Sequence, residues 1–133
     1  MSNLKTRLKD RMELRAQEEW PEMDQFIQLR ERIQGLYEPG MSVLDVGCGC
    51  GHILPSLRKI DPKMDYHGID FSEEMLSEAR TLFPGVSFEQ GDVESLEERA
   101  PSDIVICYML LLHLDGYESA LENLARVSGR HLF

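Results

Sequence analysis

Between Val43 and Gly51 the chain reads Val-Leu-Asp45-Val-Gly47-Cys48-Gly49-Cys50-Gly51, an acid followed by three glycines on alternate positions. Glycine lets a backbone pass close to a ligand and take positive φ at little cost, so this turn can hold a bound group that side chains would exclude. The glycines also discriminate between ligands. A nicotinamide fingerprint needs Gly-x-Gly-x-x-Gly around a pyrophosphate, and counting from Gly47 puts His52 where the last glycine belongs. Cys48, Cys50 and His52 are all zinc-ligand types, yet C-x-C-x-H across a glycine turn is not a structural zinc pattern and no fourth ligand lies near. The expectation is no metal.

Two further carboxylates stand at comparable places. Asp70 ends an apolar run, where a carboxylate can accept from both hydroxyls of a ribose; alone it reads as a helix cap, and beside a glycine turn it reads as a ligand. Asp92 follows Gly91, where it can accept from an amino group or simply form a turn.

These residues need a frame. Apolar runs and helical stretches alternate from Met41 onward, which predicts α/β architecture: a doubly wound, mainly parallel sheet with helices on its faces. Strands are expected at Ser42–Val46, Asp65–Ile69, Val86–Glu89 and Asp103–Tyr108, with a fifth opening at Arg130–Phe133. Helices are expected from near His52 to Ile60, from the N-cap Ser72 to about Phe83, and over Tyr117–Val127. Pro55 falls in the first turn of its helix, where a missing N–H costs little. Before the sheet, residues 4–36 read as two helices divided at Trp20-Pro21, because a residue before proline is pushed out of the helical region. The expected division is an N-terminal helical segment 1–38, a candidate lid, and a ligand-binding domain 39–133.

With those elements in place the chain resembles the class I Rossmann-like S-adenosylmethionine (SAM) dependent methyltransferases from about Met41 to Phe133. The motifs are Val43–Gly51; His67-Gly-Ile-Asp-Phe-Ser72 followed by Glu-Glu-Met75; Gln90-Gly-Asp92-Val93; and Asp103-Ile-Val-Ile-Cys-Tyr-Met-Leu-Leu-Leu-His113. The resemblance implies SAM as cofactor. It implies that Gly47, Cys48, Gly49 and Gly51 surround the methionine part and that Asp45 helps position its amino end. It further implies Asp70 on the ribose, Phe71 and Met75 beside the adenine, Asp92 and the Val93 backbone on the adenine edge, and the Cys107 backbone facing the cofactor. Methyl transfer is an in-line substitution at a carbon already activated by the sulfonium, which leaves the protein to position reactants and, for some acceptors, to remove a proton. His113 is the candidate base, although a helix cap or packed histidine fits the same place; Tyr108 is a second candidate. Neither an Asn-Pro-Pro-Tyr-like segment nor an acid ends the fourth strand, which implies a small-molecule acceptor. The resemblance also implies further strands after the fifth, so the sequence reads first as truncated before a C-terminal hairpin, with a naturally short protein or a sheet completed by a second chain as the alternatives. The alternative reading is a SAM-binding or structural partner module without independent turnover.

Composition sets the remaining bounds. The 133 residues suit one domain, and 42% hydrophobic with 29% charged residues is ordinary for a folded protein. A net charge of −10 argues against nucleic acid, whose phosphates need clustered cations. The basic arm Lys5, Arg7, Lys9, Arg11 and Arg15 is interleaved with or followed by Asp10, Glu13, Glu18 and Glu19, as on a solvated helix face. Without an apolar leader, a run of ~18 apolar residues or an even cysteine count, the expectation is a cytoplasmic protein with reduced thiols. An open sheet edge makes a homodimer an expected partner arrangement.

Overall fold

Val43–Val46 and Ile104–Ile106 are apolar on both faces apart from Asp45, as strands covered by helices on either side must be. In the computed structural model, which describes residues 22–93, 96, 99–108 and 118–133, they form the centre of a five-stranded sheet. The described elements are α1 (Asp24–Gln34), β1 (Ser42–Val46), α2 (Leu54–Ile60), β2 (Asp65–Asp70), α3 (Glu73–Leu82), β3 (Ser87–Gln90), β4 (Ser102–Ile106), α4 (Glu118–Val127) and β5 (Ser128–Leu132). The strand order is β3-β2-β1-β4-β5, and every neighbouring pair is parallel.

Helices cover both faces. On one, Phe26, Leu29 and Ile33 of α1 pack with Leu54 and Leu57 of α2, Leu76 and Ala79 of α3, and Val43, Ile104 and Ile106 of the sheet. On the other, Leu44, Val46, Ile69 and Val105 pack with Ala120, Leu124 and Val127 of α4. The spacing of 26, 29 and 33 places one face of α1 on the same core as the sheet. The chain before Glu22, including the expected first helix and its basic arm, lies outside the described residues.

Most boundaries move by one or two residues, each for a local reason. Helix α2 starts at Leu54 rather than near His52, since the Leu54 amide bonds to the Gly51 carbonyl at 3.2 Å and residues 51–53 complete a turn first. Strand β3 starts at Ser87 because the Val86 amide is still tied back to the Phe83 carbonyl. Strand β4 ends at Ile106, and β5 begins at Ser128, two residues earlier than expected: the chain leaves α4 directly into the ladder, where Ser128 pairs with Ser102. Ser72 caps α3 by accepting from the Met75 amide at 3.3 Å, with Glu73 and Glu74 at the positive end of the helix dipole.

Candidate functional site

The parallel register brings the carboxyl ends of β1, β2, β3 and β4 to one edge of the sheet, where ligands of open α/β folds collect. Directly after β1, Gly47, Gly49 and Gly51 take φ of 77°, 58° and 88°. The amides of Gly47 and Cys48 both donate to the Ile69 carbonyl, at 2.7 and 3.0 Å, so the turn is pinned to the end of β2. A Cβ on Gly49 would stand 2.8 Å from His52 Nε2 and 3.3 Å from Met75 Cε; one on Gly51 would stand 2.7 Å from the Phe83 ring. The turn is therefore closed to side chains.

Asp70 joins the two elements. Its Oδ2 accepts from the Gly49 amide at 2.8 Å and its Oδ1 from the Ser72 amide at 2.9 Å. Each carboxylate oxygen has two lone pairs, so the group is oriented by the backbone and keeps acceptor capacity for a diol. The Asp70 carbonyl takes the Gly91 amide at 3.0 Å, which ties the start of the Asp92 loop to the same point.

Around this centre the other expected residues take distinct places. Phe71 projects with 73% of its surface exposed, and Gln90 Nε2 holds its carbonyl at 3.0 Å. Met75 is half-buried beside Gly49. Asp92 is half-buried and borders a cavity of about 540 Å³ with Ile69, Gln90, Gly91, Leu96 and Arg99. Val93 is buried, and Asn123 of α4 donates to its carbonyl at 3.1 Å. The Cys107 amide is spent on the Phe133 carbonyl at 2.8 Å, and burial pushes its thiol up to about 12. Tyr108 packs edge-on to Phe26 of α1, ring centres 5.9 Å apart, which ties the helical segment to the end of β4. His113 lies outside the described residues.

The three turn residues of zinc-ligand type take different neighbours. The Cys48 thiol faces Gly68 and Phe88, where a Cβ on Gly68 would meet its sulfur at 2.9 Å, whereas Cys50 Sγ and His52 Nε2 approach each other at 3.8 Å. Burial raises the Cys48 thiol far above its usual range, with the Asp45 carboxylate adding to the effect.

Asp45 is 3% exposed, and its carboxyl is raised to about 7, first by burial and then by the neighbouring Asp70, against an opposing hydrogen bond from Tyr66. That bond, from Tyr66 Oη to Asp45 Oδ2 at 2.7 Å, is a feature sequence reading misses. Only the β1–β2 register, which pairs Val43 with Tyr66 and Asp45 with Gly68, places the two side chains on one face. Gln90 and Asn123 are missed for the same reason: both serve backbone carbonyls distant in sequence.

Comparison with known proteins identifies the family and the fold. The profile of a family described as a methyltransferase domain matches residues 43–129. Trans-aconitate 2-methyltransferase of Methylobacterium nodulans is 42% identical over 84 residues, 63% of this chain and 33% of that protein. The ubiquinone biosynthesis O-methyltransferase of Proteus mirabilis is 33% identical over 113 residues, 79% of this chain and 44% of that protein. The SAM-bound amino pentose methyltransferase of Micromonospora echinaspora superposes with a TM-score of 0.62 at 25% identity, over 78% of this chain and 44% of its own. The chain thus spans about a third to under half of the relatives it matches.

Proposed function

We propose that this chain, which belongs to the methyltransferase domain family, binds SAM across the carboxyl ends of β1 and β2 and serves methyl transfer to a small-molecule acceptor. The observation that carries the reading is the Asp70 carboxylate, fixed by the Gly49 and Ser72 amides at the rim of a turn whose glycines leave no room for side chains. When bound, SAM supplies an electrophilic methyl group on a sulfonium. The chain's own part is to bind and orient. Gly47 to Gly51 offers backbone to the methionine end, Asp70 accepts from the ribose hydroxyls, and Phe71 and Met75 flank the adenine. Asp92 accepts from the adenine amino group beside the cavity that it lines, and the Val93 backbone meets the same edge.

The acceptor is expected to be a small molecule. The matched relatives are named a trans-aconitate 2-methyltransferase and a ubiquinone biosynthesis O-methyltransferase, and this chain carries a formal net charge of −10, unsuited to nucleic acid. Tyr108 borders the site but is engaged by Phe26, which supports a packing role over a proton-transfer role. Among the described residues no helix is long and apolar enough to cross a membrane. Buried thiols at Cys48, Cys50 and Cys107 support a reducing, cytoplasmic setting.

A second reading has its own observation. The chain spans 33% of its trans-aconitate relative, which favours a SAM-binding portion that relies on further chain for its acceptor pocket. Calorimetric titration with SAM and its demethylated product, on wild type and Asp70→Ala, tests the shared premise. Wild type is expected to bind both and Asp70→Ala to lose at least tenfold, as loss of a charged hydrogen-bond acceptor of about 1.5–3 kcal/mol predicts. Absence of binding to wild type would overturn the proposal. Binding without methyl transfer to any small acid or phenol would favour the second reading.

A further inference from the structure

The floor of the site is a buried acid whose hydroxyl partner is a tyrosine of the neighbouring strand. Tyr66 is 7% exposed and Asp45 3%, and the phenol donates to the carboxylate at 2.7 Å. The ring is itself fixed. It meets Phe88 of β3 edge-on, centroids 6.0 Å apart at 72°, in space that exists because Gly68 lacks a side chain: a Cβ there would lie 2.8 Å from Phe88 and 2.9 Å from the Cys48 sulfur. Phe88, Tyr66 and Asp45 thus form a chain of contacts running from β3 under β2 to the last turn of β1, directly before the glycine turn.

Such an arrangement needs a reason. A tyrosine hydroxyl buried without a partner would be costly, and so would an isolated buried carboxylate. Each satisfies the other, but a leucine–phenylalanine pair would satisfy the same core without polar atoms. What the pair adds is an oriented acid, able to carry a negative charge, immediately beneath a turn that receives a cationic ligand. We infer that Tyr66 is a positioning residue for cofactor binding: by donating to Asp45 it orients that carboxylate under the glycine turn and favours its charged form, which attracts the ammonium and sulfonium of SAM. The inference rests on the cofactor reading given above.

Tyr66 and Asp70 act on Asp45 from β2. The thiols of Cys48 in the turn and of Cys107 after β4 feel its charge and are kept neutral chiefly by burial. Burial is the largest influence and opposes ionisation, Asp70 opposes it too, and the Tyr66 hydrogen bond is what favours the charged form. With the carboxyl already raised to about 7 by burial, removal of the one hydrogen bond that favours ionisation shifts it further toward the neutral acid.

The test is SAM affinity from pH 6 to 9, by calorimetry, for wild type and Tyr66→Phe. The ligand's own amine titrates near 8 in both experiments, so the ratio of the two dissociation constants isolates the protein. If loss of the hydroxyl makes Asp45 about ten times harder to ionise, the ratio is about fivefold at pH 7 and falls below twofold at pH 9. In an Asp45→Asn background, Tyr66→Phe should add no pH-dependent change. Phe88→Leu, which keeps the hydroxyl but loosens the ring, should move the profile the same way by less, and stands in should Tyr66→Phe fail to fold. A ratio independent of pH would assign Tyr66 to packing alone and overturn the inference, while leaving the cofactor reading intact. Failure of wild type to bind SAM at every pH would bring down both.

Discussion

Asp45 is a costly residue to bury, and its effect on the ligand-free protein has a definite sign. Its carboxyl stands at about 7 in the fold against 3.8 when free, chiefly through burial. The folded state therefore holds a proton that the unfolded chain releases between those values, and stability falls as pH rises from about 4 to 7, then levels. At about 1.4 kcal/mol per pH unit the loss is on the order of 4 kcal/mol. Asp45→Asn keeps an oxygen for Tyr66 and removes the titration, so its melting temperature is expected to exceed that of wild type at pH 8 and to approach it at pH 4. Thermal melts without ligand at both pH values check this. The glycines differ among themselves at the same scale. Alanine at Gly49 incurs the left-handed penalty of about 1–2 kcal/mol, but its Cβ meets the tip of a half-buried imidazole that can swing aside. At Gly51 the obstacle is the Phe83 ring, 2% exposed and 2.7 Å away. Gly51→Ala is expected to lower the urea midpoint further than Gly49→Ala, whereas Gly49→Ala acts at the face shared with Met75 and Asp70.

Among the elements, α1 is joined to α2 by more than its apolar stripe. Glu22 receives Arg30 Nε at 3.0 Å and Lys59 Nζ at 3.0 Å, which links the approach to α1, α1 itself and α2 through one carboxylate. Burial works against ionisation of Glu22, but the hydrogen bonds from Arg30 and Lys59 outweigh it and bring the carboxyl down to about 2. Stability from this group is present above about pH 4.5 and is lost as pH falls through 2. Glu22→Gln is expected to cost on the order of 1 kcal/mol at pH 7 and nothing near pH 2, measured by denaturant titration at the two pH values. Because Phe26 of α1 also supports Tyr108 at the end of β4, loosening α1 should be felt at the site. An expected consequence is weaker SAM binding for Phe26→Ala than for an exposed α1 variant such as Gln28→Ala.

The whole sheet runs from β3 to β5, and β5 forms one margin of the described structure with Leu132 41% exposed. Much of this architecture was legible beforehand. Alternating strand and helix signals, the unbroken apolar run at Ile104–Ile106 and the capping Ser72 are local features, fixed by propensity and period, and so the parallel fold, the glycine turn and the positions of Asp70 and Asp92 could be read from order alone. Helix and strand ends slipped by a residue or two, since a single backbone hydrogen bond such as Val86 to Phe83 decides them. What sequence could not show were pairings across the sheet. Tyr66 is an ordinary strand residue until the β1–β2 register sets it beside Asp45, and Asn123 an ordinary helix residue until α4 docks against Val93. Sequence determined which residues stand at the carboxyl edge, because that follows from the order of elements; only the tertiary structure decided which of them share a hydrogen bond, because that depends on register and packing between segments far apart in the chain.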